Sequence, residues 1–310
     1  MRALEDLIKL YIDDCIYMKG LSCKSIKAYK IDMKQYSVFQ ADNTTWYTKE
    51  TVELYIKKLY QDYKPKTAKR KIACLKSFFH YLEVEDYIEV NPFHKIKIKR
   101  REAIVLPKII PASIILKMLN QVYHILGQDN QSEYLKRNAI RDAAVMELMF
   151  ATGVRVCELC TLLPKDIDLK SKMVKVNGKG SRERYIQITN KNVQSILKIY
   201  KKLFADEIER CGYFFVNNRG NRLSEQSARF MVNKYAKQVG ADIHITPHMF
   251  RHTIATLLLE EDVDIRYIQE LLGHSSITTT QIYTHISMNA QKKILSKKHP
   301  RNKMNINVDI

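Results

Sequence analysis

The sequence predicts a mainly α-helical protein with one small antiparallel β-sheet, divided into an N-terminal helical bundle and a larger C-terminal domain. Three observations carry this expectation. Residues 66–84 place Ala68, Ile72, Leu75, Phe79 and Leu82 at i, i+4, i+7, i+11 and i+14, one face of a helix. Two β-prone runs, MVKV at 173–176 and RYIQI at 184–188, flank a turn that contains Asn177-Gly178, the signature of a hairpin. The length of 310 residues suits about two domains. A break in helical pattern marks the boundary: Asn91-Pro92 stops a helix, and KIKIKRR then packs five cations into seven residues. The expected division is 1–90 for the bundle, 91–108 for a linker and 109–310 for the second domain.

In chain order, amphipathic helices are expected over about 3–17, from Ser22 or Ser25 to about 40, after Thr48, and over about 66–84. In the second domain AIRDAAVMELMFAT at 138–151 reads as a helix that Gly153 stops, and VRVCELCTLL carries a short helix after it. The hairpin follows, and YFFV at 213–216 reads as a further strand. Helices are expected again at about 224–239, 247–260, 264–272 and 276–286. Residues 286–297 allow a short helix, which Pro300 stops.

Charge narrows the partners. The net charge is +19, which for a globular chain points to a polyanion. It is spread over both halves: residues 1–102 carry 21 Lys+Arg against 14 Asp+Glu, and the remainder 31 against 19. On the fourth helix and its lead-in, Lys64, Lys66, Lys69, Arg70, Lys71 and Lys76 form a basic face suited to phosphates, and Lys95, Lys97, Lys99, Arg100 and Arg101 extend it into the linker. No apolar run reaches the roughly 18 residues of a membrane helix, and the acidic, amphipathic start is no secretory signal. A cytoplasmic protein with no membrane partner is expected. The six cysteines include a lone Cys157-x-x-Cys160 with no second ligand pair, so they read as reduced thiols rather than a metal site.

Four stretches carry chemistry. ATGVRVCEL sets Arg155 just after a glycine helix stop. NGKGSR sets Lys179 at a hairpin tip. In ITPHMFRHT, Thr246 can cap a helix that opens with Pro247, and His248 and Arg251 stand at i and i+3 near its positive end. LLGHSSITTTQIYTH sets His274 nine residues before Tyr283. The set is two guanidiniums, two imidazoles, one ammonium and one phenol. Two arginines can clamp the non-bridging oxygens of a phosphate and stabilise the extra charge of a pentavalent transition state without metal. A tyrosine can attack phosphorus, and a lysine can protonate the leaving 5′-oxygen. No GxxxxGK[ST] loop and no carboxylate cluster for Mg²⁺ is present.

TGVRVCEL, GKG, HMFRH, LLGHSS and TTTQIYTH, in that order, resemble the tyrosine recombinases, or phage integrase family, of the Xer-like two-domain type. Five ordered motifs over about 130 residues are far more specific than any one of them. The resemblance implies a SAM-like core-binding bundle followed by the recombinase catalytic domain. It implies Tyr283 as nucleophile, Arg155 and Arg251 as phosphate clamp, and Lys179 as general acid. His248 and His274 become phosphate and proton-transfer partners, and Glu158 a supporting acid. It further implies a cofactor-free reaction on double-stranded DNA with an inverted-repeat core site, carried out by a tetramer of this chain on paired sites through a Holliday junction. A second recombinase or an accessory DNA-bending protein is a further partner of the same class. The biological setting is integration or excision of a mobile element, or resolution of chromosome dimers. The resemblance also implies that the C-terminal tail docks on a neighbouring subunit. Two rival readings share parts of this pattern: a type IB-like DNA topoisomerase, with the same phosphotyrosine chemistry, and a non-catalytic DNA-binding protein.

Overall fold

The computed structural model describes residues 3–40, 43–98, 108–178, 183–273 and 294–304. Lys99, Arg100, Arg101, Lys179, His274 and Tyr283, and the helix expected at 276–286, lie outside the described residues. The chain separates into two compact units, Met1–Val105 and Leu106–Ile310, each with its own apolar core.

The first unit is built from α1 (Leu4–Tyr17), α2 (Cys23–Phe39), α3 (Lys49–Asp62) and α4 (Pro65–Val84). Caps set two of the starts. Ser22 Oγ accepts from the Ser25 N–H at 3.2 Å, and Thr48 Oγ1 accepts from the Thr51 N–H at 3.4 Å. The five periodic residues of α4 are all buried, as the spacing requires, and α4 packs against α1, α2 and α3. Phe78 and Phe79 fill the middle of the bundle, with Trp46 tilted over both.

Two expectations fail in this unit. Lys71 is not on the exposed basic face: it is buried, and its Nζ reaches Asp32 Oδ1 at 2.8 Å and Gln35 Oε1 at 2.5 Å. Arg70 beside it also binds the Asp32 carboxylate, its Nη2 lying 2.9 Å from Oδ1. A buried aspartate on α2, invisible to a reading of α4 alone, draws Lys71 inward and pairs with Arg70, which stays exposed. The stretch from residue 91 is likewise not free linker at its start. Asn91 Oδ1 caps a 3-10 turn at Pro92–His94, and Ile96 joins the core while Lys95 and Lys97 point to solvent.

The second unit begins with α5 (Ala112–Leu126) and α6 (Glu133–Thr152). α6 starts five residues before the expected 138, at a Ser132 cap, and is buried along its last three turns. It packs against α5, α8 (Lys191–Leu203) and α11 (Pro247–Glu260). Between lie α7 (Val156–Cys160) and an antiparallel sheet of β1 (Ile167–Asp168), β2 (Met173–Asn177) and β3 (Glu183–Gln187), in that order. Val174 faces Ile186 and Val176 faces Arg184 across the hairpin.

YFFV does not form a strand of that sheet. Phe214, Phe215 and Val216 are fully buried, with one isolated bridge from Val216 to Arg222. The Tyr200 hydroxyl replaces a ladder partner: it donates to Phe214 O and accepts from Val216 N–H, both at 3.0 Å. α8 and α9 (Ala205–Cys211) were not foreseen, whereas α10 (Glu225–Gln238), α11 and α12 (Ile265–Leu272) fall where the periodicity puts them. The described part of the tail packs on its own unit rather than projecting outward. Leu295 enters the core, Arg301 pairs with Glu147 at 2.5 Å with both side chains fully buried, and the His299 ring nitrogen Nε2 meets Ala151 O at 3.0 Å. Among the described residues no helix is long and apolar enough to cross a membrane, and no group of side chains could hold a metal ion.

Candidate active site

The second unit gathers charge where α6, α7, β3, α11 and α12 meet. α6 ends at Gly153, whose φ of 61° is left-handed. A Cβ there would stand 2.5 Å from the Leu272 side chain, so glycine both permits the turn and lets α12 approach. The turn delivers Arg155 to the N-cap of α7, one turn ahead of Glu158. Glu158 is only 5% exposed yet accepts four hydrogen bonds. Arg155 gives its backbone N–H at 2.9 Å and Nη1 at 2.6 Å; Arg184 gives Nη2 at 2.7 Å and Nη1 at 3.3 Å. Burial pushes the Glu158 carboxyl up, but the Arg184 fork and the Arg155 donors outweigh it, so its pKa lies below the ordinary value. The carboxylate is both a helix cap and an anchor for two guanidiniums.

Arg251 comes from α11. Pro247 opens that helix as expected, but Thr246, at the N-cap position, makes no side-chain cap. Arg251 is buried and donates Nη1 to Gly153 O at 2.9 Å and Nη2 to Leu272 O. Burial, and then Arg155 nearby, lowers its pKa to about 10. His248, one turn earlier, is exposed. Desolvation first, then His252, Arg229, Arg251 and Arg155, hold its imidazole below the ordinary range, which favours the neutral form at pH 7.

Three arginines converge on the end of α12. Arg184 Nε donates to Leu271 O at 3.0 Å, Arg251 to Leu272 O, and Arg155 Nη2 to Gly273 O at 3.1 Å. These are consecutive carbonyls at the negative end of a helix. In sequence, His274 follows Gly273 and Tyr283 comes nine residues after that. The structure thus brings together Arg155, Glu158 and Arg251, with His248 alongside. Arg184 is the participant that sequence reading missed. Its signal was weak: a strand arginine opposite Val176, next to a glycine-rich turn whose lysine drew attention. In the first unit, Lys64, Lys66, Lys69, Arg70 and Lys76 are exposed on α4 or its lead-in, as are Lys95 and Lys97 after it.

Three guanidiniums gathered around one buried carboxylate and one helix end leave this corner of the unit rich in positive charge, the kind of surface that attracts an oxyanion. Comparison with known proteins agrees with the family that the motifs resemble. Residues 118–290 match the phage integrase family, and residues 8–86 match its N-terminal SAM-like domain. The chain belongs to the phage integrase family. A tyrosine recombinase of Agathobacter rectalis is 50% identical over 302 residues, covering 97% of this chain and 98% of the relative. Tyrosine recombinase XerC of Thermodesulfovibrio yellowstonii is 36% identical, covering 92% and 93%. The fold matches a crystal structure of XerH site-specific recombinase bound to a palindromic difH substrate in a post-cleavage complex, with a TM-score of 0.68 at 18% identity over 97% of this chain and 83% of that one. As a member of this family the chain is a site-specific recombinase that breaks and rejoins DNA, and the topoisomerase and non-catalytic readings are not favoured.

Proposed function

We propose that Tyr283 attacks a scissile phosphate of double-stranded DNA, leaving a 3′-phosphotyrosine and a free 5′-hydroxyl. A P–O bond to tyrosine forms as the P–O bond to the 5′-oxygen breaks, and Lys179 supplies the proton that the 5′-oxygen takes up. Attack by a 5′-hydroxyl from the partner duplex then reverses the step, so one phosphodiester replaces another and no external energy source enters. Arg155 and Arg251 balance the charge of the pentavalent phosphorus, and His248 and His274 bind its oxygens and move the tyrosyl proton. The reaction takes place in the cytoplasm, on paired inverted-repeat sites held by four copies of the chain. A lambda integrase whose fold is similar has been solved as a tetramer on a Holliday junction, with a TM-score of 0.65 at 18% identity.

The observation that carries this reading is the convergence of Arg155 and Arg251 on the end of α12, from which the chain runs to Tyr283. The test is a nicked duplex bearing a site selected by binding from a random-sequence pool. Wild type is expected to give an SDS-resistant protein–DNA product, and Tyr283→Phe none. A product that persists in the variant would assign the attack to another side chain.

A further inference from the structure

We propose that Arg184 is a positioning residue for strand cleavage: it fixes the Glu158 carboxylate, and through it the Arg155 guanidinium, against the end of α12. The proposal rests on the reading of the reaction given above. Arg184 stands on β3 with its side chain 11% exposed, against 28% for Arg155. All three of its guanidinium nitrogens are engaged: Nε on Leu271 O, Nη1 and Nη2 on the two oxygens of Glu158. With every nitrogen committed and the side chain more deeply buried than that of Arg155, Arg184 has no fork to offer a phosphate.

Its geometry is that of a brace. The planar guanidinium joins a buried acid on α7 to a backbone carbonyl on α12, and a lysine has one point charge where this arrangement needs three fixed directions. The approach is close enough that a Cβ on Gly273 would lie 3.1 Å from Arg184 Nη1. Gly273, with φ 64°, is where α12 ends and the segment leading to Tyr283 begins. Arg184 therefore holds two things at once: the acid that orients one half of the phosphate clamp, and the exit of the helix that precedes the nucleophile. Arg155 shares the same carboxylate through Nη1. Without Arg184, Glu158 has one cation rather than two to fix it, and the Arg155 fork loses its fixed direction.

The experiment measures single-turnover cleavage and DNA affinity on the selected nicked duplex for wild type, Arg184→Gln, Arg184→Lys, Glu158→Gln and the double variant Arg184→Gln with Glu158→Gln. Each is run with a normal scissile phosphate and with an uncharged methylphosphonate there. Arg184→Gln is expected to slow cleavage about 100-fold, the scale of a lost transition-state donor, with little change in affinity. Arg184→Lys is expected not to restore it. The double variant is expected to fall no further than the worse single, because the two residues act as one unit. The deficit is expected to shrink on methylphosphonate, where the charge that Arg155 balances is gone. Cleavage near wild type in Arg184→Gln, a double-variant loss equal to the product of the singles, or an equal loss on both phosphates would each overturn the proposal. If Arg184→Gln does not fold, Glu158→Asp, which shortens the anchor by one methylene, is expected to give the same pattern. Wild type without any covalent product refutes the proposed function instead. Arg184 is then read from the rise in melting temperature that tungstate, an oxyanion, gives: a smaller rise in Arg184→Gln supports the brace, and an undiminished rise overturns it.

Discussion

Asp32 in the first unit and Glu158 in the second are built alike and do different things. Each is a buried carboxylate, 2% and 5% exposed, and each is held by two cations. Asp32 joins α2 to α4 through Arg70 and Lys71, and Lys71 turns its remaining reach inward to Gln35 and to the Tyr63 ring at 4.7 Å. Glu158 joins α7 to β3, but Arg155 keeps an exposed edge, and Arg251 and the carbonyls of α12 meet it. Burial and ion pairing are shared, so neither marks a site. Each also keeps one partner that reaches solvent, Arg70 at 45% and Arg155 at 28%, so what separates the two is what converges there: Arg251 and the carbonyls that end α12 meet beside Arg155.

The largest effect that should sharpen this contrast is at Arg251. Arg251→Ala removes a clamp donor and leaves Gly153 O and Leu272 O without their guanidinium, and cleavage is expected to fall about 1000-fold in single turnover. A fall of only a few-fold would mean that the Glu158 cluster is as purely structural as the Asp32 cluster. Next comes Asp32→Ala. It strands Lys71, whose side chain is 5% exposed, and should cost the first unit about 3 kcal/mol in urea unfolding. Cleavage of DNA already bound should change little. A cleavage defect as large as that of Arg251→Ala at saturating DNA would break the comparison.

A third buried cluster makes the same point inside the catalytic unit. Glu147 and Arg301 are sealed from solvent, and His299 beside them accepts from the Arg301 N–H at Nδ1, so Nε2 carries the proton donated to Ala151 O. Burial first lowers the His299 pKa to about 4, so the ring is neutral in the fold. A depressed folded pKa means that stability is complete above the unfolded value of about 6.5 and is lost as pH falls from there toward 4. The loss should reach at most roughly 3 kcal/mol across that window. Melting temperatures of wild type and His299→Gln across pH 4 to 7 check it: the variant should lack this component, and identical curves would remove His299 as its source.

Sequence showed the Arg155 and Arg251 positions better than the buried carboxylate clusters. Arg155 and Arg251 were legible because each stands in a local pattern with its own logic, one after a glycine stop and one in the first turns of a proline-opened helix. The caps at Ser22 and Thr48, and the Asn-Gly hairpin, were legible for the same reason. Arg184 and Asp32 were not, because their roles arise from partners 26 and 38 residues away. Lys71 was misplaced for that reason: periodicity assigns a face to a helix but does not see the acid on the helix opposite. YFFV failed differently. Its composition fits a strand, but its backbone groups pair with the Tyr200 hydroxyl, Leu162 O and the Leu223 N–H rather than with a strand of the sheet. α8 was missed despite Val193, Ile196, Leu197 and Tyr200 at helical spacing behind an Asn190 cap.

The smallest expected effect tests whether exposure alone sorts the cations of α4. Each lysine that neutralises a DNA phosphate releases a counterion, so its loss should reduce the slope of log affinity against log salt by about 1. Lys66 is exposed in the first turn of α4, and Lys71 is buried on Asp32 five residues later. Lys66→Gln should therefore lower the salt slope by about 1 and leave unfolding nearly unchanged. Lys71→Met should do the reverse, keeping the slope while lowering the stability of the first unit. Binding isotherms on the selected duplex at several salt concentrations, together with urea melts, give both numbers for both variants. If Lys71→Met reduced the slope as Lys66→Gln does, Lys71 would leave Asp32 on DNA, and the Asp32 cluster would be a reserve of phosphate contacts rather than a brace.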